Sequence, residues 1–283
     1  MPELPEVETI KRIVAPQIIG SVIQKAEVLN GQIIAHPAAE QFAENLLGQR
    51  FSGMDRRGKF LIFRFESGDK LFLHLRMTGQ LLVTPKEFPS EKHTHLVLHL
   101  DSGMQLRYID VRRFGRFWYI GKEESESITG IDKLGLEPFD ERLTAEYLKS
   151  KLSRKKKPIK EMLHDQSVVA GIGNIYSDEI LYLCGIYPET KCTELTDADR
   201  EKLSRMIPQE LSLAIKENEM SAEEYLAGKE YRNTPFLKAY GHEGMPCPIC
   251  GSIFERITVG GRSSCYCPKC QKPNFSTKKF RLR

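Results

Sequence analysis

The chain has 283 residues, 40% hydrophobic and 28% charged, a composition that fits two or three modest folded domains and excludes a disordered chain. No apolar run approaches the roughly 18 residues of a membrane helix. Seven cysteines behind the acidic, helix-patterned opening MPELPEVETIKR predict free thiols in the cytoplasm rather than disulfides. The formal charge of +4 is uneven: nine Lys/Arg against two acids give +7 from Lys238 to Arg283, leaving −3 on residues 1–237. Two further basic runs, Arg56-Arg57-Gly58-Lys59 and Arg154-Lys155-Lys156-Lys157 with Lys160 behind it, favour a polyanionic partner, nucleic acid above all.

The first predicted element is a helix over about Pro5–Ala15, with Val7, Ile10 and Val14 on one face. The period then drops to two. Leu71, Leu73 and Leu75 alternate with Phe72, His74 and Arg76, and Leu96, Leu98 and Leu100 alternate with His95, Val97 and His99. Segments 59–65, 105–110 and 114–120 are rich in aromatic and branched residues, so a run of short strands predicts a sandwich or barrel reaching residue 122. His74, out of phase with its leucine neighbours, is expected to point off the hydrophobic face. A linker is expected over 123–140, where LGLEPFD carries Gly and Pro. Helical periodicity follows at Ala145–Leu152, Ile159–Leu163 and Ile175–Leu183, then in a longer helix near 196–218 expected to kink at Pro208.

The segment Gly171-Ile172-Gly173 precedes a helix whose first residues are Asn174, Ile175 and Tyr176. Such a turn exposes backbone N–H groups to an anion. No strand precedes it and the third glycine is missing, so it is not a dinucleotide fingerprint. From residue 236 the chain carries two CxxC knuckles, Cys247-Pro248-Ile249-Cys250 and Cys267-Pro268-Lys269-Cys270, separated by 16 residues. Four thiolates close a tetrahedral site around one structural Zn²⁺, with no open position for catalysis. Cys265 falls outside the spacing. The intervening sequence reads as a hairpin turning at Gly260-Gly261, which sets Arg262 toward a phosphate backbone.

Met1-Pro2-Glu3-Leu4-Pro5-Glu6-Val7-Glu8-Thr9, Gly58-Lys59, His74-Leu75-Arg76-Met77-Thr78-Gly79, Asp110-Val111-Arg112-Arg113-Phe114-Gly115, Asp165–Tyr176 and the four-cysteine ribbon occur in that order. Over essentially its whole length the chain thereby resembles the bacterial formamidopyrimidine-DNA glycosylases, a family that includes endonuclease VIII. The resemblance implies an α+β multidomain fold: an N-terminal β-sandwich with a leading helix (1–122), a linker (123–140), a helix–two-turn–helix domain (141–235) and a zinc-finger hairpin (236–283). It implies a base-excision-repair glycosylase and abasic-site lyase, acting as a monomer on damaged double-stranded DNA. Pro2, freed by removal of Met1, is the implied nucleophile, Glu3 the general acid/base, Lys59 a further catalytic group and Glu6 a support. His74, Asn174, Tyr176 and Arg262 are implied to hold the DNA backbone, while Met77, Arg112 and Phe114 fill the gap left by the extruded nucleotide.

Two segments depart from the family pattern. Thr78 follows Met77 at a position where family members differ, near the lesion pocket, and residues 219–237 lack the glycine-rich pattern associated with closure over 8-oxoguanine. A paralogue preferring oxidised pyrimidines and a non-catalytic zinc-ribbon protein are the competing readings. The intact ELPEVET opening disfavours the first; Pro2, Glu3 and Lys59 together disfavour the second.

Overall fold

Helix α1 (Leu4–Ile18) begins where the sequence caps it from both sides. The Glu3 carboxylate accepts the N–H of Glu6, the Glu6 carboxylate accepts the N–H of Glu3 at 2.6 Å, and Pro5 sits in the first turn, where no donor is needed. The helix outlasts its expected end at Ala15 because Ile18 is fully buried and anchors the last turn. The computed structural model describes residues 1–89, 91–230, 232 and 234–273; of the basic tail, Lys278, Lys279, Arg281 and Arg283 lie outside the described residues.

The chain continues through β1 (Ile23–Val28), β2 (Ile34–His36), α2 (Ala39–Leu46), β3 (Phe51–Arg57), β4 (Phe60–Phe65), β5 (Lys70–His74), β6 (Gly79–Pro85), β7 (Thr94–Leu100), β8 (Met104–Asp110) and β9 (Arg116–Ile120). Two sheets form, in the orders β1-β7-β8-β6 and β2-β9-β5-β4-β3, antiparallel except for β2 against β9. Phe63, Leu71, Leu73 and Phe117 of one sheet share a core with Leu81, Leu98, Leu106 and Tyr108 of the other and with Val7, Ile10 and Val14 of α1. The expected sandwich is present, with its predicted leading helix. Helix α2 escapes the sequence pattern because its eight residues bury only Phe42 and Leu46. The alternation along β5 misleads: Leu71–Leu75 are all buried, since β5 lies inside its sheet with both faces covered.

Residues 134–217 carry α3 (Ala145–Leu152), α4 (Ile159–His164), α5 (Asn174–Cys184) and α6 (Asp197–Glu217), packed around Leu148, Ile159, Ile180, Leu203 and Ile207. Helix α6 runs through Pro208 as one element. After α7 (Ala222–Leu226), strands β10 (Glu255–Val259) and β11 (Arg262–Tyr266) form the expected hairpin.

The chain forms two compact units whose limits differ from the expected boundaries. Residues 218–232, expected with the helical domain, belong to the first unit with residues 1–133: Tyr225 of α7 enters the sandwich core, and Glu219 pairs with Arg12 of α1 at 3.0 Å. The helices and the cysteine hairpin lie together in the second unit. The buried Glu179 carboxylate of α5 accepts the backbone N–H groups of Lys238, Ala239 and Tyr240, and Gln271 donates to the carbonyl of Ile186. Among the described residues, no helix is long and apolar enough to cross a membrane.

Candidate active site and metal centre

The capping box of α1 draws Glu3 and Glu6 into the protein, 2% and 0% exposed, directly behind the buried Pro2. The capping hydrogen bonds fix this carboxylate pair beside the N-terminus, with Glu3 next to Pro2 in sequence, and so set an acid/base group near that end of the chain. Arg232 closes over the same spot from the segment after α7. Its Nη2 donates to the Met1 carbonyl at 3.3 Å, the carbonyl bonded to the Pro2 nitrogen, and its Nε lies 3.5 Å from Glu6 Oε1. Burial, then the Arg232 charge, pushes the terminal amine of Met1 below its usual value against the opposing pull of Glu3 and Glu6, and Lys59 adds a smaller push downward. The net effect favours the neutral, nucleophilic form.

Lys59 lies in the two-residue β3–β4 turn, with Gly58 at φ 56° as such a hairpin requires. Its side chain is buried, 4% exposed. Arg56 staples the turn to α1: its Nε meets Glu8 Oε2 at 3.0 Å and its Nη1 donates to the Gly58 carbonyl at 3.0 Å. Arg56 therefore serves inside the fold, although the sequence counts it in a basic run. Lys160 behaves likewise, fully buried against Asp178 at 2.5 Å, while Arg154–Lys157 are all exposed.

His74 departs from the expectation of an outward-facing ring. It packs edge-on against Phe60 with ring centroids 4.9 Å apart, and its Nδ1 accepts the N–H of Arg76 at 3.0 Å. Burial first, then the charges of Arg76 and Lys59, lower its pKa to about 3, so the ring is neutral. A neutral imidazole accepting at Nδ1 carries its proton on Nε2, a hydrogen-bond donor without charge.

Met77, 43% exposed, and Phe114, 46% exposed, stand on two loops of the first unit, and the Arg112 guanidinium lies 4.9 Å over the Phe114 ring. In the core these residues would be packing; on the surface they are available to a ligand.

In the second unit, Gly171 at φ 94° turns the chain into Gly173, which caps α5 without a side-chain hydrogen bond. Asn174 Nδ2 reaches Ser263 Oγ at 3.5 Å, beside Arg262, while its buried Oδ1 has no hydrogen-bond partner among the described residues. Arg262 is exposed beyond the Gly260-Gly261 turn, where both glycines have positive φ. The Tyr176 side chain is fully buried in the helical core and seats the first turn of α5.

The sulfurs of Cys247, Cys250, Cys267 and Cys270 lie within 4.8 Å of one another, with 3.4 Å between Cys250 and Cys267 and 3.9 Å between Cys247 and Cys270. A tetrahedron of Zn–S bonds has edges of about 3.8 Å, so the four thiols fit one Zn²⁺. Cys265 stays outside this group, with its backbone N–H donating to Asp178.

Sequence reasoning missed Arg232, which no motif marks, and assigned no role to Asp110 within its own motif. A cavity of about 350 Å³ in the first unit, lined by Gln80, Leu82, Ile109, Tyr225, Gly228 and Arg232, is likewise built from residues that periodicity does not connect.

Three family models match the chain: the formamidopyrimidine-DNA glycosylase N-terminal domain over residues 1–117, the H2TH domain of the same proteins over 134–225, and the zinc finger found in FPG and IleRS over 244–273. A formamidopyrimidine-DNA glycosylase of Desulforamulus reducens is 42% identical over 276 residues, covering 96% of this chain and 99% of the relative. One from Synechocystis is 39% identical over 282 residues, covering 96% and 98%. The Lactococcus lactis FPG (MutM) bound to DNA with an oxidised pyrimidine superposes with a TM-score of 0.89 at 36% identity, covering 96% of this chain and 100% of that one. The same protein bound to FAPY-dG DNA gives 0.87 at 35% identity, with the same coverage.

Proposed function

The chain belongs to the formamidopyrimidine-DNA glycosylase family, and from that premise we propose that it is a bifunctional base-excision-repair enzyme. It everts and excises oxidised purines, formamidopyrimidines and 8-oxoguanine among them, then nicks the strand by β,δ-elimination. It works as a monomer on damaged duplex DNA in the bacterial cytoplasm. The observation that carries this reading is the pair of buried carboxylates held beside the N-terminus, where burial and the Arg232 charge disfavour the protonated form of the terminal amine, which in this chain is that of Met1.

Removal of Met1 moves the free amine to Pro2. The neutral amine attacks C1′ of the damaged nucleoside, the C1′–N bond breaks, and the base leaves with its electron pair. Glu3 delivers a proton to the deoxyribose ring oxygen as the ring opens. The iminium that remains linked to Pro2 acts as an electron sink: loss of a C2′ proton expels the 3′ phosphate, and a second elimination expels the 5′ phosphate. Glu6 fixes Glu3 through its backbone N–H, and Lys59 supplies a buried positive charge in the same unit. Met77, Arg112 and Phe114 occupy the space that the flipped nucleotide leaves, while His74 Nε2, Asn174 and Arg262 donate to phosphates. Bound zinc holds the hairpin that carries Arg262.

Borohydride reduction of the enzyme on an abasic duplex tests the reading. It should yield one covalent protein–DNA adduct through the N-terminal residue. Strand cleavage with no trapped adduct would reject amine catalysis. A set of duplexes with single defined lesions then decides between purine and pyrimidine preference, to which Thr78 and residues 219–237 are the relevant departures.

A further inference from the structure

Asp110 closes β8 and is fully buried, and its carboxylate receives four hydrogen bonds. Oδ1 accepts the Thr78 hydroxyl at 2.5 Å and the Arg112 N–H at 3.1 Å. Oδ2 accepts the Tyr108 hydroxyl at 3.0 Å and the Gly115 N–H at 2.9 Å. Burial alone would favour the neutral acid, but these bonds prevail and hold the carboxyl below its usual range, as an acceptor on both oxygens. The Thr78 hydroxyl has a second use, accepting the Arg112 N–H at 3.1 Å while it donates to Asp110.

The donors come from both surface loops that carry the exposed side chains. Thr78 follows Met77; Arg112 and Gly115 bracket Phe114. Each loop bends through an arginine in the left-handed region, Arg76 at φ 56° and Arg113 at φ 56°, each directly before the exposed apolar residue. That backbone is disfavoured for a side-chain-bearing residue and persists only where neighbours over-determine it. The neighbours here leave no slack: a Cβ at Gly115 would overlap the Tyr108 hydroxyl, and one at Gly79 would lie 2.6 Å from it.

We propose that Asp110, acting through Thr78, is a positioning residue that locks the Met77 turn to the Arg112–Phe114 loop, so that both enter a DNA duplex as one preformed wedge. The proposal rests on the base-flipping part of the function above. It explains a buried charge at a strand end that catalysis does not use. Two loops ordered in advance do not have to be immobilised separately when the wedge enters the base stack, so insertion is faster and the gap is held longer.

Thr78→Val keeps the shape of the side chain and removes both hydroxyl bonds; Thr78→Ser retains them. Insertion can be read without chemistry on a duplex with 2-aminopurine opposite a tetrahydrofuran abasic analogue, as the fluorescence change on mixing. Thr78→Val should slow this change about 10-fold, the effect of losing a hydrogen bond to a charged acceptor, and Thr78→Ser should restore it to within about 2-fold. The ratio of duplex lesion excision to cleavage of a single-stranded abasic oligonucleotide should fall about 10-fold in Thr78→Val as well. Insertion at the wild-type rate in Thr78→Val would overturn the proposal, as would an equal loss of both activities, the mark of a general structural defect. Wild-type protein that inserts normally but traps no adduct with borohydride would reject the catalytic reading and leave the clamp standing.

Discussion

At the metal end, four sulfurs are brought together by short covalent spacing, two residues between partners, and a hairpin aligns the two pairs. At the amine end the same task falls to ion pairs between residues far apart in sequence: buried Arg56 with Glu8, 48 residues apart, and half-buried Arg232 with Glu6. Local spacing gives an all-or-none site, because a missing sulfur leaves an incomplete tetrahedron. Dispersed pairing gives a graded one, because each partner adjusts position or charge without supplying the bond-forming atom. At the amine end, only the nitrogen itself should be all-or-none.

The largest effect should come from that nitrogen. Protein carrying an uncleaved N-terminal tag should still bind abasic DNA yet give no borohydride-trapped adduct and no strand cleavage. Efficient cleavage by the tagged protein would place the nucleophile elsewhere and erase the contrast. Next, Cys250→Ser should lose its zinc and most DNA binding, since metal binding and folding are coupled in a module this small. Cys265→Ser should keep one zinc per chain by metal analysis. Zinc loss in the Cys265 variant would show that the sulfur cluster is not the ligand set.

This contrast also decides what could be read from sequence. The sandwich, the leading helix, the hairpin and the four ligands were legible because each depends on a local period or spacing. The capping box went unread, although Glu3 and Glu6 lie at its three-residue spacing. The return of residues 218–232 to the first unit was not, because the apolar anchor is a single Tyr225 and the polar ones are Glu219 and Arg232, on a segment with no sustained period. Charge counting failed where burial intervened: Arg56 and Lys160 look like polyanion contacts in the sequence and are internal ion pairs in the fold. His74 misled for a related reason, since alternation does not say which faces are covered.

A smaller effect is expected on the exposed loops. If Arg112 bonds the base opposite the lesion, Arg112→Ala should narrow the cytosine-over-adenine preference by roughly 5- to 150-fold at most. Cleavage of single-stranded abasic DNA, which has no opposite base, should change far less. Single-turnover excision against each opposite base is the measurement, and an unchanged preference would pass the reading role to Arg113.

The smallest effect should come from Arg232, and its sign separates charge tuning from support of Glu6. The amine must be neutral to attack; the terminal amine on Met1 is held below its ordinary value of 8.0 by burial and then by the Arg232 charge, and the Pro2 amine freed beside it is expected to meet the same two influences. Arg232→Ala removes that charge, so the amine pKa rises and less of the neutral form is present at any pH below it. The acid limb of the single-turnover lyase rate should therefore move to higher pH, with rates a fewfold lower near neutrality and converging with wild type well above pH 8. Arg232→Lys, which keeps a positive charge, should restore much of the shift. A loss of the same size at every pH would instead mean that Arg232 acts by holding Glu6 through their 3.5 Å contact, a positional role with no part in setting the amine's charge. An unchanged profile in Arg232→Ala would leave burial and the smaller Lys59 charge as the causes of the lowered amine, and the graded character of this end would then rest on Glu3, Glu6 and Lys59.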